Sequence, residues 1–532
     1  MTQLFRIGID VGGTHTDAVI LDDQDKLVWA EKVDTTEDVS TGINEALKQV
    51  LEKSSVDRKK IIAVMFGTTH CTNAVVERKN LAHVGLIRIG KPATMGVSPL
   101  FSLPADLRKA IGDTWAIVYG GHEFDGREIW SFSEGETREA AEDFKSRGVE
   151  SVAIASVFSP VNSAHEECAE KIVAEVMGPG VPISLSHEIG SIGLLERENA
   201  SALNAALMKV AQKAISGFVS AVNETGLSSA KIYLTQNDGT LMSVDYARKY
   251  PVKTIASGPT NSMRGAAFLT GISDGVIVDI GGTTALVGAI MHGFPRESNI
   301  AVEIGGARTN FRMPDLIAVS CGGGAIVRYD KSKNSVQVGP QSVGFRITKE
   351  SVAWGGDTLT TTDVGLGLGY AKVDDPSCRA ERVSNQFEKH ELERAKQKII
   401  EIVEDSIDRI KTSADPVEVV LVGGGGIIIP ESYYKNFKGV SRIVRPAHFQ
   451  YANAIGAAIA QASGEVDRIY ELDKMTREQA LEKAKQEAIQ DSINAGAEPS
   501  TVSIVEAEEL PLSYLPGLAL RIRAKAVGKL KI

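Results

Sequence analysis

The chain has little of what disulfide-bonded, zinc-binding or membrane-spanning proteins are built from. Its 532 residues include four cysteines, which lie far apart and never in C-x-x-C spacing: Cys71, Cys168, Cys321 and Cys378. This spacing predicts free thiols in a reducing compartment. Apolar runs such as Val417–Pro430 are short and broken by glycine, so no segment is predicted to span a bilayer.

Basic character is also lacking. The net charge is −10, and no stripe of lysine and arginine interleaved with aromatic residues occurs in the chain. Nucleic acids and anionic membranes both require a basic surface. The first residues run directly into an apolar strand pattern, without the segments of a secretory signal. We therefore expect a cytoplasmic protein that binds neither nucleic acid nor membrane.

What the chain does have is length, ordinary hydrophobic content and much glycine. Hydrophobic residues make up 43% and charged residues 24%, which is typical of a globular protein. The length predicts two or three domains with substantial cores. Many of the 51 glycines are clustered, which indicates turns built around ligands.

The most informative stretch is Arg6–Asp17, which reads R-I-G-I-D-V-G-G-T-H-T-D. Its alternating apolar residues predict a buried strand that ends near Asp10. Gly12 and Gly13 then allow a tight hairpin whose amide groups point outward. The Thr14 hydroxyl beside these amides completes an anion cradle, and the nearby carboxylate can hold a counter-cation through water.

The same pattern returns at Val276–Ala289, which reads V-I-V-D-I-G-G-T-T-A-L-V-G-A. One copy of D-x-G-G-T is weak evidence, but two copies flanked by apolar strands indicate a cleft that grips one polyphosphate from two sides. A third motif, V-V-L-V-G-G-G-G at Val419–Gly426, is a buried strand that ends in four glycines. Such a turn lets the backbone pack flat against a planar group.

The order of predicted elements indicates the fold. Over residues 6–89, three strands are followed by helix, strand, helix and strand, which is the order of a ribonuclease-H-like half domain with a mixed sheet. Long helices are predicted at Glu198–Thr225 and Ala380–Thr412. The predicted units are an N-terminal lobe at residues 1–190, a second lobe at 191–470 and a small αββ unit at 471–532.

The three motifs, in this order, resemble those of the superfamily that includes sugar kinases, actin and heat-shock chaperone ATPases. This resemblance implies an α/β, two-lobed ribonuclease-H-like ATPase fold with mixed sheets, plus the C-terminal αββ unit. Within the superfamily, nearly the whole chain resembles the hydantoinase/oxoprolinase family. The segments that carry this resemblance are I-D-V-G-G-T-H-T-D-A from Ile9, F-G-T-T-H-C-T-N-A-V-V-E-R-K from Phe66, N-D-G-T-L-M-S from Asn237, S-G-P-T-N-S from Ser257 and V-D-I-G-G-T-T-A from Val278.

Members of that family use ATP to open a cyclic amide such as a hydantoin or 5-oxoproline. Transfer of the γ-phosphoryl group to the amide oxygen makes the carbonyl carbon a good target for water. The protein then has to position the reactants and neutralise charge. The resemblance implies ATP and Mg²⁺ as cofactors, a second hydantoinase-type subunit as partner, and an oligomer.

The resemblance also assigns roles to residues. Phosphate is expected to bind Gly12, Gly13, Thr14 and Thr16 in the first hairpin and Gly281, Gly282, Thr283 and Thr284 in the second. Asp10 and Asp279 would orient Mg²⁺, and with Thr14 and Thr283 they are the catalytic candidates. The adenine pocket is expected to be floored by Gly423, Gly424, Gly425 and Gly426. The candidates for substrate contact are Thr68, Thr69, Asn73 and Asp238.

Two other interpretations stay open: a small-molecule kinase or ATP-dependent carboxylase subunit, and a non-enzymatic ATP-switched binding or reactivating protein. No motif identifies the hydrolytic base, for which Asp17 and Asp238 are the candidates. The chain departs from many long family members at Ile317, where they carry histidine, and at Val343–Gly355, which replaces P-G-P-A-C-Y-G. Both departures bear on the substrate and on any second metal.

Two further motif matches and one candidate catalytic cysteine are rejected. Gly85–Lys91 has the spacing of a phosphate loop, but Pro92 follows where serine or threonine is needed. Gly271–Gly275 fits G-x-S-x-G, but a predicted helix precedes it and a strand follows, the reverse of a nucleophile elbow. Cys71 has no motif-level base beside it and is interpreted as a buried small residue.

Overall fold

The computed structural model describes residues 3–12, 15–34, 39–298, 302–310, 313–330, 335–472, 475–512 and 519–531. Gly13 and Thr14 of the first predicted hairpin therefore lie outside the described residues. Within these ranges, no helix combines the length and the apolar composition needed to cross a membrane.

The helices and strands alternate along most of the chain. The helices are α1 (Val39–Ser54), α2 (His70–Glu77), α3 (Ala105–Ala110), α4 (Glu134–Ser146), α5 (Ala164–Met177), α6 (Leu194–Glu224), α7 (Val244–Lys249), α8 (Ser257–Thr270), α9 (Ile347–Glu350), α10 (Thr361–Gly367), α11 (Ala380–Gln386), α12 (Lys389–Ile410), α13 (Ala452–Ala458) and α14 (Arg477–Asn494). The strands are β1 (Phe5–Val11), β2 (His15–Asp22), β3 (Leu27–Asp34), β4 (Ile61–Thr68), β5 (Val84–Lys91), β6 (Thr114–Tyr119), β7 (Ser151–Ser156), β8 (Ile183–Leu185), β9 (Lys231–Thr235), β10 (Thr240–Ser243), β11 (Gly275–Ile280), β12 (Ala285–Met291), β13 (Phe294–Pro295), β14 (Val302–Ile304), β15 (Ala307–Thr309), β16 (Leu316–Val319), β17 (Ala325–Asp330), β18 (Ser335–Ser342), β19 (Val417–Val422), β20 (Val440–Val444), β21 (Gln461–Glu471), β22 (Ser503–Pro511) and β23 (Ala519–Gly528).

The first lobe is built on a nine-stranded sheet in the order β3-β2-β1-β4-β9-β10-β21-β23-β22. Its first five strands have the ribonuclease-H-like arrangement. β2 is antiparallel to both β1 and β3, while β1, β4 and β9 run parallel. Ile7 and Ile9 of β1 belong to the core that includes α1, whereas Gly8 on the other face meets α13.

The fifth strand of this arrangement is β9 and not the predicted strand within residues 82–89. That segment is β5, which lies in a separate parallel sheet of order β6-β5-β7-β8. Helices α4 and α5 connect its strands, and such crossovers favour parallel pairing. β9 and β10 come after residue 190 in the chain but belong to the first sheet. The predicted domain boundary at residue 190 therefore falls within the part of the chain that forms this sheet.

The predicted C-terminal helix and two strands are present as α14, β22 and β23. They extend the first sheet, because β10 pairs with β21 and β21 pairs with β23. Ala480, Ala484 and Ala488 on one face of α14 are fully buried in the core formed with β21 and β23. Small side chains here let the helix lie close to the sheet.

The second lobe repeats the plan of the first. Its six-stranded sheet has the order β13-β12-β11-β19-β20, and β16 also pairs with β12. β12 is antiparallel to β11, β13 and β16, whereas β11, β19 and β20 are parallel. The corresponding central strands are β1 and β11. This arrangement confirms the predicted two-lobed α/β fold with mixed sheets.

Both predicted long helices are found, one of them in two pieces. α6 confirms the helix predicted at 198–225. The helix predicted at 380–412 is divided into α11 and α12 because Glu388 and Glu391 form a capping box that starts a new helix. Leu392, Ile399 and Val403 of α12 are buried, as its amphipathic pattern requires.

Helices α8 and α13 cross between the two sheets, and glycines permit the contact. A Cβ on Gly456 of α13 would lie 1.8 Å from the backbone oxygen of Asn261 in α8. A Cβ on Gly265 of α8 would lie 1.9 Å from the backbone oxygen of Ala452. These distances leave no room for a side chain, so the two glycines set how closely the helices pack.

Candidate functional site

The two predicted hairpins are closed in the same way. The N–H of Gly12 donates to the carbonyl of His15 at 3.0 Å, and the N–H of Gly281 donates to the carbonyl of Thr284 at 2.9 Å. Each donor follows an aspartate of a central strand by two residues. The second turn is open to solvent at Gly282, Thr283 and Thr284, whose amide and hydroxyl groups are the donors that an anion requires.

Asp10 and Asp279 are buried carboxylates that interact across the lobes. Asp10 is 7% exposed and Asp279 is 8% exposed. Burial raises the pKa of Asp10 to about 7, and the negative charges of Asp17 and Asp279 act in the same direction against Lys32. Burial also raises the pKa of Asp279. Oδ1 of Asp10 has no hydrogen-bond partner in the described part of the chain, so the site contains an unpaired acceptor.

A row of charged residues crosses the first sheet at this point. Asp10 lies opposite Asp17 in the β1–β2 pair, and Asp17 lies opposite Lys32 in the β2–β3 pair. Lys32 forms an ion pair with Asp17. In the second lobe the residue opposite Asp279 is Leu286, so the row belongs to the first lobe.

Helices α8 and α13 bring polar side chains to the two aspartates. Burial dominates and raises both pKa values, but Asn453 of α13 acts to lower that of Asp10, and Ser262 of α8 acts to lower that of Asp279. Neither residue was predicted as part of the site. The S-G-P-T-N-S segment ends at Ser262 and was a signal for one of them, whereas Asn453 has no motif of its own.

Three glycine-rich segments meet at the second hairpin. The N–H groups of Gly323 and Gly324 donate to the carbonyls of Gly281 and Gly282 at 2.9 and 2.6 Å. On another side, a Cβ on Gly425 would lie 2.5 Å from the backbone oxygen of Gly281. The hairpin is therefore held by two backbones that approach more closely than any side chain would allow.

The loop at Gly322–Gly324 is itself fixed by two threonines that sequence reasoning did not assign. The Thr361 hydroxyl lies 2.6 Å from the carbonyl oxygen of Gly322 and 2.8 Å from that of Gly323. The Thr362 hydroxyl donates to the carbonyl oxygen of Gly323 at 2.8 Å. The glycine run and the later threonine run were visible in the sequence. Only the fold shows that they contact each other.

The four glycines predicted to form the floor of the adenine pocket include glycines in two different environments. Gly423 has a φ of 82°, and a Cβ there would lie 2.1 Å from Oδ1 of Asp279, so the packing itself requires glycine. A Cβ on Gly424, in contrast, would meet no described atom within 4 Å. The space over Gly424 is therefore open.

A cleft of about 260 Å³ opens beside the first hairpin. Its lining includes Gly12 of the hairpin, Thr69, His70 and Asn73 at the start of α2, and Val210 of α6. Thr69 donates its hydroxyl to the carbonyl of Val11 at 3.3 Å, which ties α2 to the hairpin. Of the predicted substrate residues, the fold brings Thr69 and Asn73 together here, while Thr68 lies behind them and is buried.

Two predicted site residues lie elsewhere. Thr16 is fully buried in β2 and does not open toward the cleft. Asp238 lies in a buried ion cluster, with Nζ of Lys525 2.8 Å from its Oδ2 and 3.3 Å from Oε1 of Glu297. Although burial acts in the opposite direction, the Lys525 ammonium lowers the pKa of Asp238 to about 2. Asp238 therefore belongs to this buried ion cluster and does not line the cleft.

The cysteines beside the site are inert, as predicted for Cys71. This residue is 3% exposed, and burial raises the pKa of its thiol to about 11. Burial raises the pKa of Cys321, beside the Gly322–Gly324 loop, to about 12. Neither thiol is a nucleophile near neutral pH.

Two ribonuclease-H-like lobes, whose central strands place Asp10 and Asp279 close enough to interact, define the class of actin-like and sugar-kinase-like ATPase folds. The chain belongs to the hydantoinase/oxoprolinase family. The model of the hydantoinase/oxoprolinase N-terminal region matches residues 6–177, and the hydantoinase/oxoprolinase model matches residues 197–466. The predicted family is thereby confirmed.

Curated relatives cover the chain to different extents. It is 28% identical to caprolactamase subunit alpha of Pseudomonas jessenii over 397 residues, which cover 69% of this chain and 55% of that subunit. It is 23% identical to the acetone carboxylase beta subunit of Xanthobacter autotrophicus over 582 residues, which cover 98% of this chain and 78% of that subunit. The chain thus spans little more than half the length of the caprolactamase subunit.

A solved structure shows the same fold. The crystal structure of ATP-dependent caprolactamase from Pseudomonas jessenii superposes with a TM-score of 0.80 at 20% identity, covering 99% of this chain and 88% of that one. The likeness extends over both lobes and the C-terminal strands, because almost no part of this chain is left out.

Proposed function

We propose that this chain is an ATP-dependent hydrolase that opens a cyclic amide and works with a second subunit. The observation that carries the proposal is the pair of buried carboxylates, Asp10 and Asp279, at the ends of two hairpins built on one plan. Family membership supports the reaction class, and the relative named caprolactamase subunit alpha supports both the cyclic amide and the partner.

The residues fit Mg²⁺ bound together with a nucleotide. The described residues contain no cluster of three His, Cys, Asp or Glu side chains that could hold a metal ion by itself. Mg²⁺, however, commonly keeps several waters and takes its other ligands from phosphate, so that one or two carboxylates suffice. Asp10, with its unpaired Oδ1, and Asp279 are those carboxylates. When bound, the ion supplies charge neutralisation at the phosphates.

The chain's own groups account for the rest of the binding. Gly282, Thr283 and Thr284 are exposed and would donate to phosphate oxygens from the second lobe. On the first lobe the phosphates would lie against Gly12, whose N–H is used to close the hairpin, and the open space over Gly424 would receive the adenine. The substrate amide oxygen would then accept the γ-phosphoryl group from within the cleft beside Gly12, where Thr69 and Asn73 provide polar contacts.

The test is to incubate the chain, alone and co-expressed with the product of the neighbouring gene, with Mg-ATP and a panel of hydantoins, 5-oxoproline and caprolactam. We expect ring-opened acid and inorganic phosphate in equal amounts. A stable phosphorylated product would instead identify a kinase. Failure of every small molecule to raise ATP turnover would favour an ATP-switched binding protein.

A carboxylase subunit is the second candidate. It is favoured by the acetone carboxylase beta subunit, whose alignment covers 98% of this chain. Activation of a carbonyl oxygen by phosphoryl transfer serves both reactions, so the two hairpins do not discriminate between them. The same assay with acetone or acetophenone and bicarbonate distinguishes the candidates, because only a carboxylase forms the keto acid. Size-exclusion chromatography with light scattering tests the proposed oligomer.

A further inference from the structure

The cleft beside the first hairpin contains a histidine to which neither the motifs nor the proposed phosphate contacts assign a role. His70 is the first residue of α2 and lines the cleft together with Gly12 and Asn73. β4 brings it there, because Thr68 at the end of that strand lies opposite Val11 of β1. The imidazole is therefore placed beside the hairpin that would hold phosphate.

Two contacts fix the orientation of the ring. Nδ1 of His70 lies 2.5 Å from Oγ1 of Thr68. The ring of Phe218 in α6 meets the imidazole edge to face, with centroids 6.0 Å apart and planes at 72°. Phe218 is in turn stacked on Phe66 with centroids 4.7 Å apart. A ring held on two sides loses little further freedom when it acts on a reactant.

The hydrogen bonds are compatible with the tautomer that has its proton on Nδ1. The backbone N–H of His70 donates to Oγ1 of Thr68 at 3.3 Å, and this hydroxyl oxygen has a second lone pair that can accept the Nδ1–H. In that tautomer Nε2 carries the lone pair of the ring. In the described part of the chain no group hydrogen-bonds to Nε2. Burial lowers the pKa of His70, so the ring is neutral near pH 7.

The other ionisable residues that line the cleft are engaged with each other. Glu77 and Lys79 at the rim of the cleft are exposed and pair with each other at 3.0 Å. Of the two carboxylates predicted as possible bases, Asp17 pairs with Lys32 and Asp238 pairs with Lys525. Among the described residues that line the cleft, His70 is the neutral basic group that remains.

We propose that the cleft is the subsite for the cyclic amide and that His70 is the general base of the hydrolytic step. This inference rests on the proposed cyclic-amide activity. A volume of about 260 Å³ accommodates a small ring and a water molecule, since one water occupies about 30 Å³. A base of this kind has to lie within hydrogen-bond reach of the water it activates.

In the proposed step, both protons of the attacking water reach the ring nitrogen through the imidazole. Once the amide oxygen carries the phosphoryl group, Nε2 accepts a proton from water while the water oxygen bonds to the former carbonyl carbon. The imidazolium returns this proton to the ring nitrogen. As the ring C–N bond breaks, the hydroxyl of the adduct loses its proton to Nε2, which passes it to the departing nitrogen, so that an amine and an acyl phosphate result. A second water hydrolyses the acyl phosphate to carboxylate and inorganic phosphate. One ATP and two waters are thus consumed for each ring opened.

The test compares His70→Ala and His70→Gln with the wild type, using the cyclic amide that the panel identifies. His390→Gln, an exposed histidine of α12, is the matched control. Ring-opened product reports the hydrolytic step. Exchange of ¹⁸O between the βγ-bridging and non-bridging positions of ATP, dependent on the amide, reports phosphoryl transfer alone. Melting temperatures and ATP affinity of His70→Gln verify that the fold is retained.

We expect product formation to fall about 10²–10⁴-fold in both His70 variants, the usual contribution of a general base. Isotope exchange should persist, and added imidazole should restore part of the activity of His70→Ala. Product formation within threefold of wild type would overturn the assignment, as would loss of exchange and product together without imidazole rescue. If the wild type opens no cyclic amide, the proposed function fails and this inference fails with it.

Discussion

Asp10 lies directly opposite Asp17 across strands β1 and β2. Residues opposite each other in an antiparallel pair have Cβ atoms about 4.5–5.5 Å apart, and like charges there are destabilising. Lys32, opposite Asp17 on the next strand, relieves part of the repulsion. The second lobe has Leu286 in the place of Asp17. The first lobe thus places a carboxylate and a lysine beside Asp10, whereas the second lobe places an apolar side chain beside Asp279.

The first prediction concerns Asp10→Asn. The pKa of Asp10 is about 7 in the folded chain and near 3.8 when unfolded, so the folded state binds the additional proton between these values. The free energy of unfolding should therefore fall as the pH rises from about 4 to about 7, by an amount on the order of 1–4 kcal/mol. Asparagine does not titrate, so the variant should not lose stability in this way. At pH 8 with EDTA it should therefore melt at a higher temperature than the wild type.

The same variant should lose ATP turnover, because the carboxylate is needed to orient Mg²⁺. Thermal melts at pH 5 and pH 8 and a phosphate-release assay measure the two effects. Equal pH dependence of melting in wild type and variant would contradict the burial argument, whereas retained turnover would remove Asp10 from its proposed role.

The second prediction separates a glycine needed by the fold from one needed by a ligand. In Gly322→Ala, the new Cβ would lie 2.5 Å from the backbone carbon of Thr283 and would displace the second hairpin. In Gly424→Ala, the Cβ meets no described atom within 4 Å. We expect Gly424→Ala to keep the wild-type melting temperature and to bind ATP at least tenfold more weakly, as measured by calorimetry. Unchanged affinity would place the adenine elsewhere.

The third prediction concerns the crossing of α8 and α13. Gly456→Ala would place a Cβ 1.8 Å from the backbone oxygen of Asn261 and should lower the free energy of unfolding by about 1–3 kcal/mol or more. The control is Gly135→Ala in α4, where the Cβ has open space and alanine favours the helix. Urea denaturation measures both. If the two variants were equally stable, helices α8 and α13 would tolerate the larger separation that a Cβ at position 456 requires.

The fourth prediction concerns Asp238. Its pKa is lowered by Lys525, so its contribution to stability is present above the unfolded value and is lost as the pH falls toward about 2. Asp238→Asn should destabilise the fold by up to about 3–5 kcal/mol, because Lys525 stays buried with one partner fewer. The KM for the amide should not change. Asp245→Asn, in an exposed ion pair with Arg248, is the control and should have little effect. An altered KM would indicate instead that Asp238 contacts the substrate.

Much of the candidate site could be predicted because its parts are local. The D-x-G-G-T segments encode a strand, a turn and a carboxylate within a few residues, and short-range sterics decide such turns. The sequence likewise predicted that Cys71 is buried and that α14, β22 and β23 form at the C-terminus. Thr69 and Asn73 reached the cleft because Thr69 caps α2 and Asn73 lies in its first turn, directly after a strand that pairs with the hairpin.

Contacts between distant segments could not be predicted in this way. β5 and β9 both read as buried strands, and which of them pairs with β4 depends on which edge the rest of the chain leaves free. Asp238 sits in a turn motif that looks exposed, yet a lysine from the last strand buries it. Ser262 and Asn453 reach the aspartates because Gly265 and Gly456 let their helices cross.

The sequence by itself determined the family, the two hairpins and the carboxylates that they carry, because these depend on residues that are neighbours in the chain. Only the tertiary structure decided what surrounds those carboxylates: the Asp17–Lys32 row, the polar groups of α8 and α13, and the imidazole of His70. The reason is that burial and charge act through space, and their effects on a pKa or a base depend on segments that only the packed fold brings together.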